Sequence, residues 1–235
     1  MGQRGQASVE WIALVAVVAA VFAAGAALAL GPSYGHLRSV SPPTGGGDEA
    51  ISARWAPKLV VERGTVGVPV DPRFCRAVAC SIGADPVLFT HVVHRGPTTY
   101  VQYWAYWPDS SWHGIAGRHA DDWESFQVRI DADGTAWARA SAHHGYTGKR
   151  IGPDLNVNQI HPQWVPQRWR RGWVPYRAGY TIAKNSHAGY VSPSLAANAV
   201  PATLVPIEGA HLPETYAISP PWRKAVYTDP ESWST

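Results

Sequence analysis

RHADDWESFQVRI, residues 118–130, runs through DADG at 131–134 into TAWARASAH at 135–143, and together these read as two strands joined by a tight turn. Successive side chains of an extended chain point to opposite faces, so Phe126, Val128 and Ile130 mark an inward face. Asp122 and Glu124 are in phase with them. Two neighbouring carboxylates on such a face repel each other and lose hydration unless a cation, a proton or an arginine compensates. A divalent metal is one solution. The plainer one is pairing with Arg118, Arg129 or Arg139 at a strand end. Asp133-Gly134 is a two-residue hairpin signal. With that turn Ile130 pairs with Trp137, and Glu124 falls opposite His143. His143 then stands beside the acidic pair and His144 faces away, whereas a shift by one residue would turn His143 off the site.

The rest of the chain suits this β reading. Twelve Trp and ten Tyr against four Phe, with 20 Pro and 22 Gly in 235 residues, point to short strands and many turns rather than to helices. WAPKLVVE from Trp55, VLFTHVVH from Val87, TTYVQYWAYW from Thr98 and GYTIAKNSHAGY from Gly179 are further strand candidates, with Pro108 ending the third. The expected fold is mainly β: a sandwich-like domain with peripheral helices over 51–235, preceded by a single N-terminal transmembrane helix. A formal net charge of +3 is too small to imply a nucleic-acid partner.

Trp11 to Leu30, WIALVAVVAAVFAAGAALAL, carries no charge and as a helix is long enough to cross ~30 Å of hydrocarbon. It is a membrane segment or a secretion signal, since a soluble helix would show a polar face. Ala27-Leu28-Ala29 offers a signal-peptidase-like site, but the apolar run is long and Glu10 sits at its edge. RGQASVEW followed by this helix resembles the class III signal of type IV pilins and Flp/TadE-like pseudopilins. That resemblance covers the region 1–30 and implies cleavage after Gly5, Gln6 as the mature N-terminus, and Glu10 paired with the amino terminus of a neighbouring pilin-like subunit. The alternative is a plain anchor with Glu10 at headgroup level. Residues 31–50, rich in Gly, Pro and Ser, read as a flexible stalk. The expected location is the cell membrane, single-pass, with the domain extracytoplasmic and possible membership of a surface pilus.

In such an oxidising space Cys75 and Cys80 form a short-loop disulfide, or else they are two small buried hydrophobes. The run HPQWVPQRWRRGWVPY, from His161, reads either as a grip for a glycan or anionic headgroup or as a loop pinned by buried indoles. The pinned loop is the favoured reading.

YWAYWPDSSWHGIAGRHADDWE, followed by SAHHGY, resembles the necrosis-inducing-protein family, whose corresponding segments surround a divalent cation. By motif position the resemblance implies Asp109, His119, Asp122 and Glu124 as ligands and matches His143 to a downstream histidine. It departs at Ala120 and Asp121, where the family has Arg and His. WAPKLVVE, QYWAYWP, DDWE and KNSHAGY resemble the vacuolar protein sorting-associated protein 62 family from about Trp55 to Tyr190, which adds His187 near the site. Three carboxylates and an imidazole form a hard donor set, suited to calcium, magnesium or manganese. The expected function is a membrane-anchored, pilin-like protein with a divalent-metal-binding domain for surface assembly or recognition. Its alternatives are a metal-dependent hydrolase of a surface ester or phosphodiester, with His143 or His187 moving protons, and a toxin-like binder of membrane headgroups.

Overall fold

The computed structural model describes residues 47–110, 118–142, 145–147, 150–151, 155–156, 172–184, 186–192 and 195–232. The proposed signal with Gly5, Gln6 and Glu10, the apolar segment 11–30, His143 and His144, and the Trp/Arg run as far as 171 lie outside the described residues. Among the described residues no helix is long and apolar enough to cross a membrane.

Helix α1 (Asp48–Arg54) leads into β1 (Lys58–Val61), and a short helix α2 (Val78–Ser81) precedes β2 (Val87–Arg95) and β3 (Thr98–Ser110). Then follow β4 (His119–Ile130), β5 (Ala136–Ala142), β6 (Gly145–Thr147), β7 (Arg150–Ile151), β8 (Leu155–Asn156), β9 (Val174–Pro175), β10 (Gly179–Ile182), β11 (Gly189–Val191) and β12 (Thr203–Pro206). A 3-10 turn (Pro221–Arg223) and helix α3 (Ala225–Thr228) close the chain. Helix α1 begins inside the stretch read as stalk, with Asp48 and Glu49 in its first turn, where negative charge suits the helix dipole.

The large sheet has the order β12-β2-β3-β4-β5-β6, with β9 also on β5, and a smaller sheet has the order β1-β10-β11. Alternation along β3 and β4 decides what each face carries. Val101, Tyr103, Ala105, Phe126, Val128 and Ile130 bury against Leu59, Tyr180, Ile182 and Val191 of the small sheet. The opposite face, with Phe89, Trp104, Tyr106 and Trp123, is covered by Val70, Cys75 and the C-terminal segment through Ala210 and Val226.

Polar residues on that second face bind the covering segment. Gln102 Nε2 donates to Val226 O at 2.8 Å, and the buried Arg139 donates to Gln127 Oε1 at 2.9 Å and to the carbonyls of Pro230 and Ser232. Glu231 accepts from Tyr100 OH at 2.8 Å, Arg129 Nη1 at 3.2 Å and Trp173 Nε1 at 3.1 Å. Trp173, the one described tryptophan of the Trp/Arg run, is thus a buried anchor with Arg139 over its ring at 4.4 Å.

Two local expectations are corrected. Pro108 does not end its strand, because β3 continues to Ser110. Tyr106 O accepts from Val70 N at 2.9 Å, so the Pro108 nitrogen faces the same flank, beyond the last β2 pair at Phe89–Trp104. No bond to β4 is lost there. The β4–β5 turn also has three loop residues rather than two. Gly134 N donates to Asp131 O and Asp131 N to Thr135 O, both at 2.9 Å, with Gly134 at φ 81, the type I turn plus left-handed glycine of a three-residue hairpin loop. Ile130 therefore pairs with Ala136 and Arg129 with Trp137, one residue off the expected register. Glu124 is no longer set opposite position 143, and β5 ends at Ala142.

Candidate functional site: a buried acidic notch

Trp107 pairs with Asp122 across β3 and β4, and Ala105 with Glu124, so the two carboxylates stand on the inward face next to the core. The turn between β10 and β11 brings His187 to them. Its Nδ1 lies 2.8 Å from Asp122 Oδ2 with both side chains buried, and its ring stacks on Trp107 with centroids 4.4 Å apart and planes 4° from parallel. A ring nitrogen facing a carboxylate carries the proton, so His187 donates and Asp122 accepts. Glu124 Oε2 accepts from Ser141 Oγ, which itself accepts from Ser125 N at 2.6 Å.

The electrostatics follow from burial. Glu124 is pushed up to about 8, first by loss of hydration and then by the charge of Asp122, against weaker opposition from Ser141 and Lys224. Lys224 arrives from the C-terminal segment, with Nζ donating to Trp123 O at 3.2 Å and 5.7 Å from the Trp104 ring centre. Burial lowers its pKa, opposed by Glu124 and Asp122. Two non-glycine residues beside the notch hold left-handed backbone, Asp121 at φ 59 and His187 at φ 52. Such conformations are costly and gather at functional sites.

Asp121 itself is saturated. It accepts from Tyr106 OH at 2.6 Å, Arg76 Nη2 at 3.0 Å and Ala217 N at 2.8 Å. Burial pushes its carboxyl up, but these three donors outweigh burial and hold it below the usual range.

The four expected metal ligands fall into two groups. Asp109 pairs with Arg118 at 3.2 Å, and His119 Nδ1 lies 3.2 Å from Ala120 O. Both line an open cleft of about 460 Å³ together with Arg76, Ala77, Val78, Pro108, Arg118 and Ala120. Asp122 and Glu124 sit further along the strands with His187. Among the described residues no three His, Cys, Asp or Glu side chains come close enough to share an ion. The reason is local pairing: Arg118 engages Asp109, and His119 is at the very start of β4. Of the other arginines, Arg129 pairs with Asp131 and Glu231, and Arg139 donates to Gln127.

Asp122 and Glu124 are the residues that could hold a cation. Each carboxylate has one oxygen held by a buried donor, which leaves Asp122 Oδ1 and Glu124 Oε1 without a partner among the described residues. Hard oxygens raised in energy by mutual repulsion fit a hard divalent ion, and hydrogen-bonded ligand carboxylates are the usual outer-shell arrangement. Two protein oxygens would leave most of the ion's coordination open. Sequence reasoning missed Ser141, Lys224 and the stacking role of Trp107. Ser141 and Lys224 lie 17 and 100 positions from Glu124, and no local pattern announces them.

No family profile and no curated protein matches the chain. Solved structures with some likeness are necrosis-inducing proteins. NLPPya in complex with mannosamine has a TM-score of 0.45 at 21% identity, covering 71% of this chain and 76% of that one. Necrosis and Ethylene inducing Protein 2, from the causal agent of cocoa's Witches Broom disease, has 0.43 at 19%, covering 72% and 77%. The non-toxic HaNLP3 protein has 0.44 at 16%, covering 74% and 80%. TM-scores and identities this low assign the chain neither a family nor a function.

Proposed function

We propose that the folded domain is a recognition module that binds a polar headgroup or sugar through a cation held at Asp122 and Glu124. The observation that carries this reading is the adjacent pair of carboxyl groups on the inward face, each with one oxygen that has no hydrogen bond among the described residues. A calcium, magnesium or manganese ion would be held by Asp122 Oδ1 and Glu124 Oε1 and would supply positive charge with open positions for ligand oxygens. A protonated amine, as in an amino sugar, is the other cation the pair suits. Asp122 is kept in place by His187, and Glu124 by Ser141. In this reading the apolar segment 11–30 holds the module at the outer face of a membrane, either as a pilin-like subunit cleaved after Gly5 or as a plain anchor.

The Asp122–His187 pair favours a second reading, hydrolysis, because a histidine oriented by a buried carboxylate is a proton-transfer device. Calorimetric titration of the full chain in detergent with calcium, magnesium, manganese and glucosamine separates these ideas. We expect one of them to bind, with binding lost in Asp122→Asn and Glu124→Gln. Isotherms unchanged by both substitutions would overturn the cation-notch reading. Turnover of an ester or phosphodiester that vanishes in His187→Asn while binding persists would favour the hydrolase.

A further inference from the structure

Among the described residues, the non-glycine positions with left-handed backbone are Asp121, His187 and His211. The first two meet at one hydrogen bond. His187 donates to Asp122 Oδ2 at 2.8 Å, and Asp121 is the residue directly before that acid. A residue with a side chain stays left-handed only where its surroundings hold it there, so whatever holds Asp121 bears on where Asp122 points.

The buried Asp121 carboxylate draws its donors from three segments of the fold. Tyr106 OH comes from β3 and Ala217 N from the C-terminal cover. The third, Arg76 Nη2, lies 3.0 Å from both carboxylate oxygens. Arg76 follows Cys75, which is disulfide-bonded to Cys80 with Cα atoms 5.8 Å apart, so a short covalent ring carries the guanidinium. Arg76 also donates to Thr215 O at 3.1 Å and lies 5.0 Å from the centre of the Tyr216 ring. Arg76 and Asp121 therefore bind the same stretch of the cover, Thr215 to Ala217, and the contacts close a circuit. Of the three donors Arg76 is the charged one, and charge-assisted hydrogen bonds are the strong ones.

We propose that Asp121 is a positioning residue: Arg76, presented by the disulfide-closed loop, clamps its carboxylate, and the left-handed backbone held in this way aims Asp122 at His187 and toward Glu124. Without the clamp, residue 121 relaxes to the extended conformation that its strand neighbours hold. The peptide unit between 121 and 122 then rotates, and the Asp122 side chain swings with it. The aim at His187 stands apart from any cation, and only the consequence for cation binding rests on the notch reading.

The test uses the full chain in detergent and substitutes Arg76, whose side chain is 40% exposed, so that no core is opened. Proton NMR with isotope-labelled histidine reads the Nδ1–H that His187 donates to Asp122, a resonance assigned by its loss in His187→Asn. Arg76→Ala is expected to remove this resonance through exchange with water and to weaken calcium binding about tenfold. Arg76→Lys, which keeps the charge, should retain both. Should Arg76→Ala fail to fold, Tyr106→Phe strips another donor from Asp121 and carries the same expectation. A role in stability alone would lower the thermal midpoint and leave the resonance in place. Its persistence unchanged in Arg76→Ala would overturn the clamp, as would a wild-type spectrum that lacks it. Loss of the resonance in the variant, with a wild type that binds no calcium, would retain the clamp and sink only the notch reading.

Discussion

Glu124 sits in an electrostatic conflict between burial and the charge of Asp122, and its consequence for stability has a definite sign. Its carboxyl moves from an ordinary value of 4.5 to about 8 on folding, so between those limits the folded protein holds a proton that the unfolded chain releases. Stability therefore falls as pH rises through this window and is highest below 4.5 on this account alone. In chelator, thermal unfolding from pH 5 to 9 should show wild type losing stability relative to Glu124→Gln, by something on the order of a few kcal/mol across the window. A divalent ion should reduce the loss, because positive charge favours the ionised pair. Parallel curves for the two proteins would show that Glu124 ionises normally in the fold.

At the level of elements, the β4–β5 hairpin and the β10–β11 hairpin decide what the site contains. The three-residue loop closed by Gly134 sets Ala136, Ala138 and Ala140 on the face of Phe126 and Val128. Deleting Thr135 would keep the Asp131–Gly134 turn but set Trp137 opposite Ile130 and send those alanines outward, since a one-residue slip reverses every side chain. That variant should fail to fold cooperatively, which circular dichroism on heating would reveal. Gly189 in β11 meets a second constraint, because a Cβ there would lie 2.3 Å from Tyr180 Cε2 and 2.9 Å from Ala140 Cβ. Gly189→Ala should cost about 1–3 kcal/mol by overpacking, read from denaturant midpoints. It should also weaken any cation binding by disturbing the turn that carries His187.

For the whole molecule, the C-terminal segment acts as a cover for the second face of the large sheet. Glu231 joins Tyr100, Arg129 and Trp173, so Glu231→Ala strips one acceptor from three donors, and a loss of about 1.5–3 kcal/mol is expected from the lost charged hydrogen bonds, Arg129 keeping Asp131. Chemical unfolding would measure it. A loss near zero would mean that the cover is held by apolar packing alone. The same cover delivers Lys224 to the strand that carries Glu124, which couples the site to the end of the chain.

What the sequence determined by itself is local. Alternation places Asp122 and Glu124 with Phe126, Val128 and Ile130, because the two-residue period of a strand needs no knowledge of its neighbours. The mainly β character was legible for the same reason, from aromatic-rich runs between glycines and prolines. What only the tertiary structure decided lies in long-range pairing and in one turn. Asp-Gly serves two-residue and three-residue loops alike, and the left-handed Gly134 preceded by a type I turn from Asp131 settled the register against the expected His143 partner. Asp109 and His119 stand further along the β3–β4 ladder than Asp122 and Glu124, and the partners differ, Arg118 for Asp109 and His187 for Asp122. Those partners are brought together by folding rather than by spacing, so the carboxylates were visible in the chain and their surroundings were not.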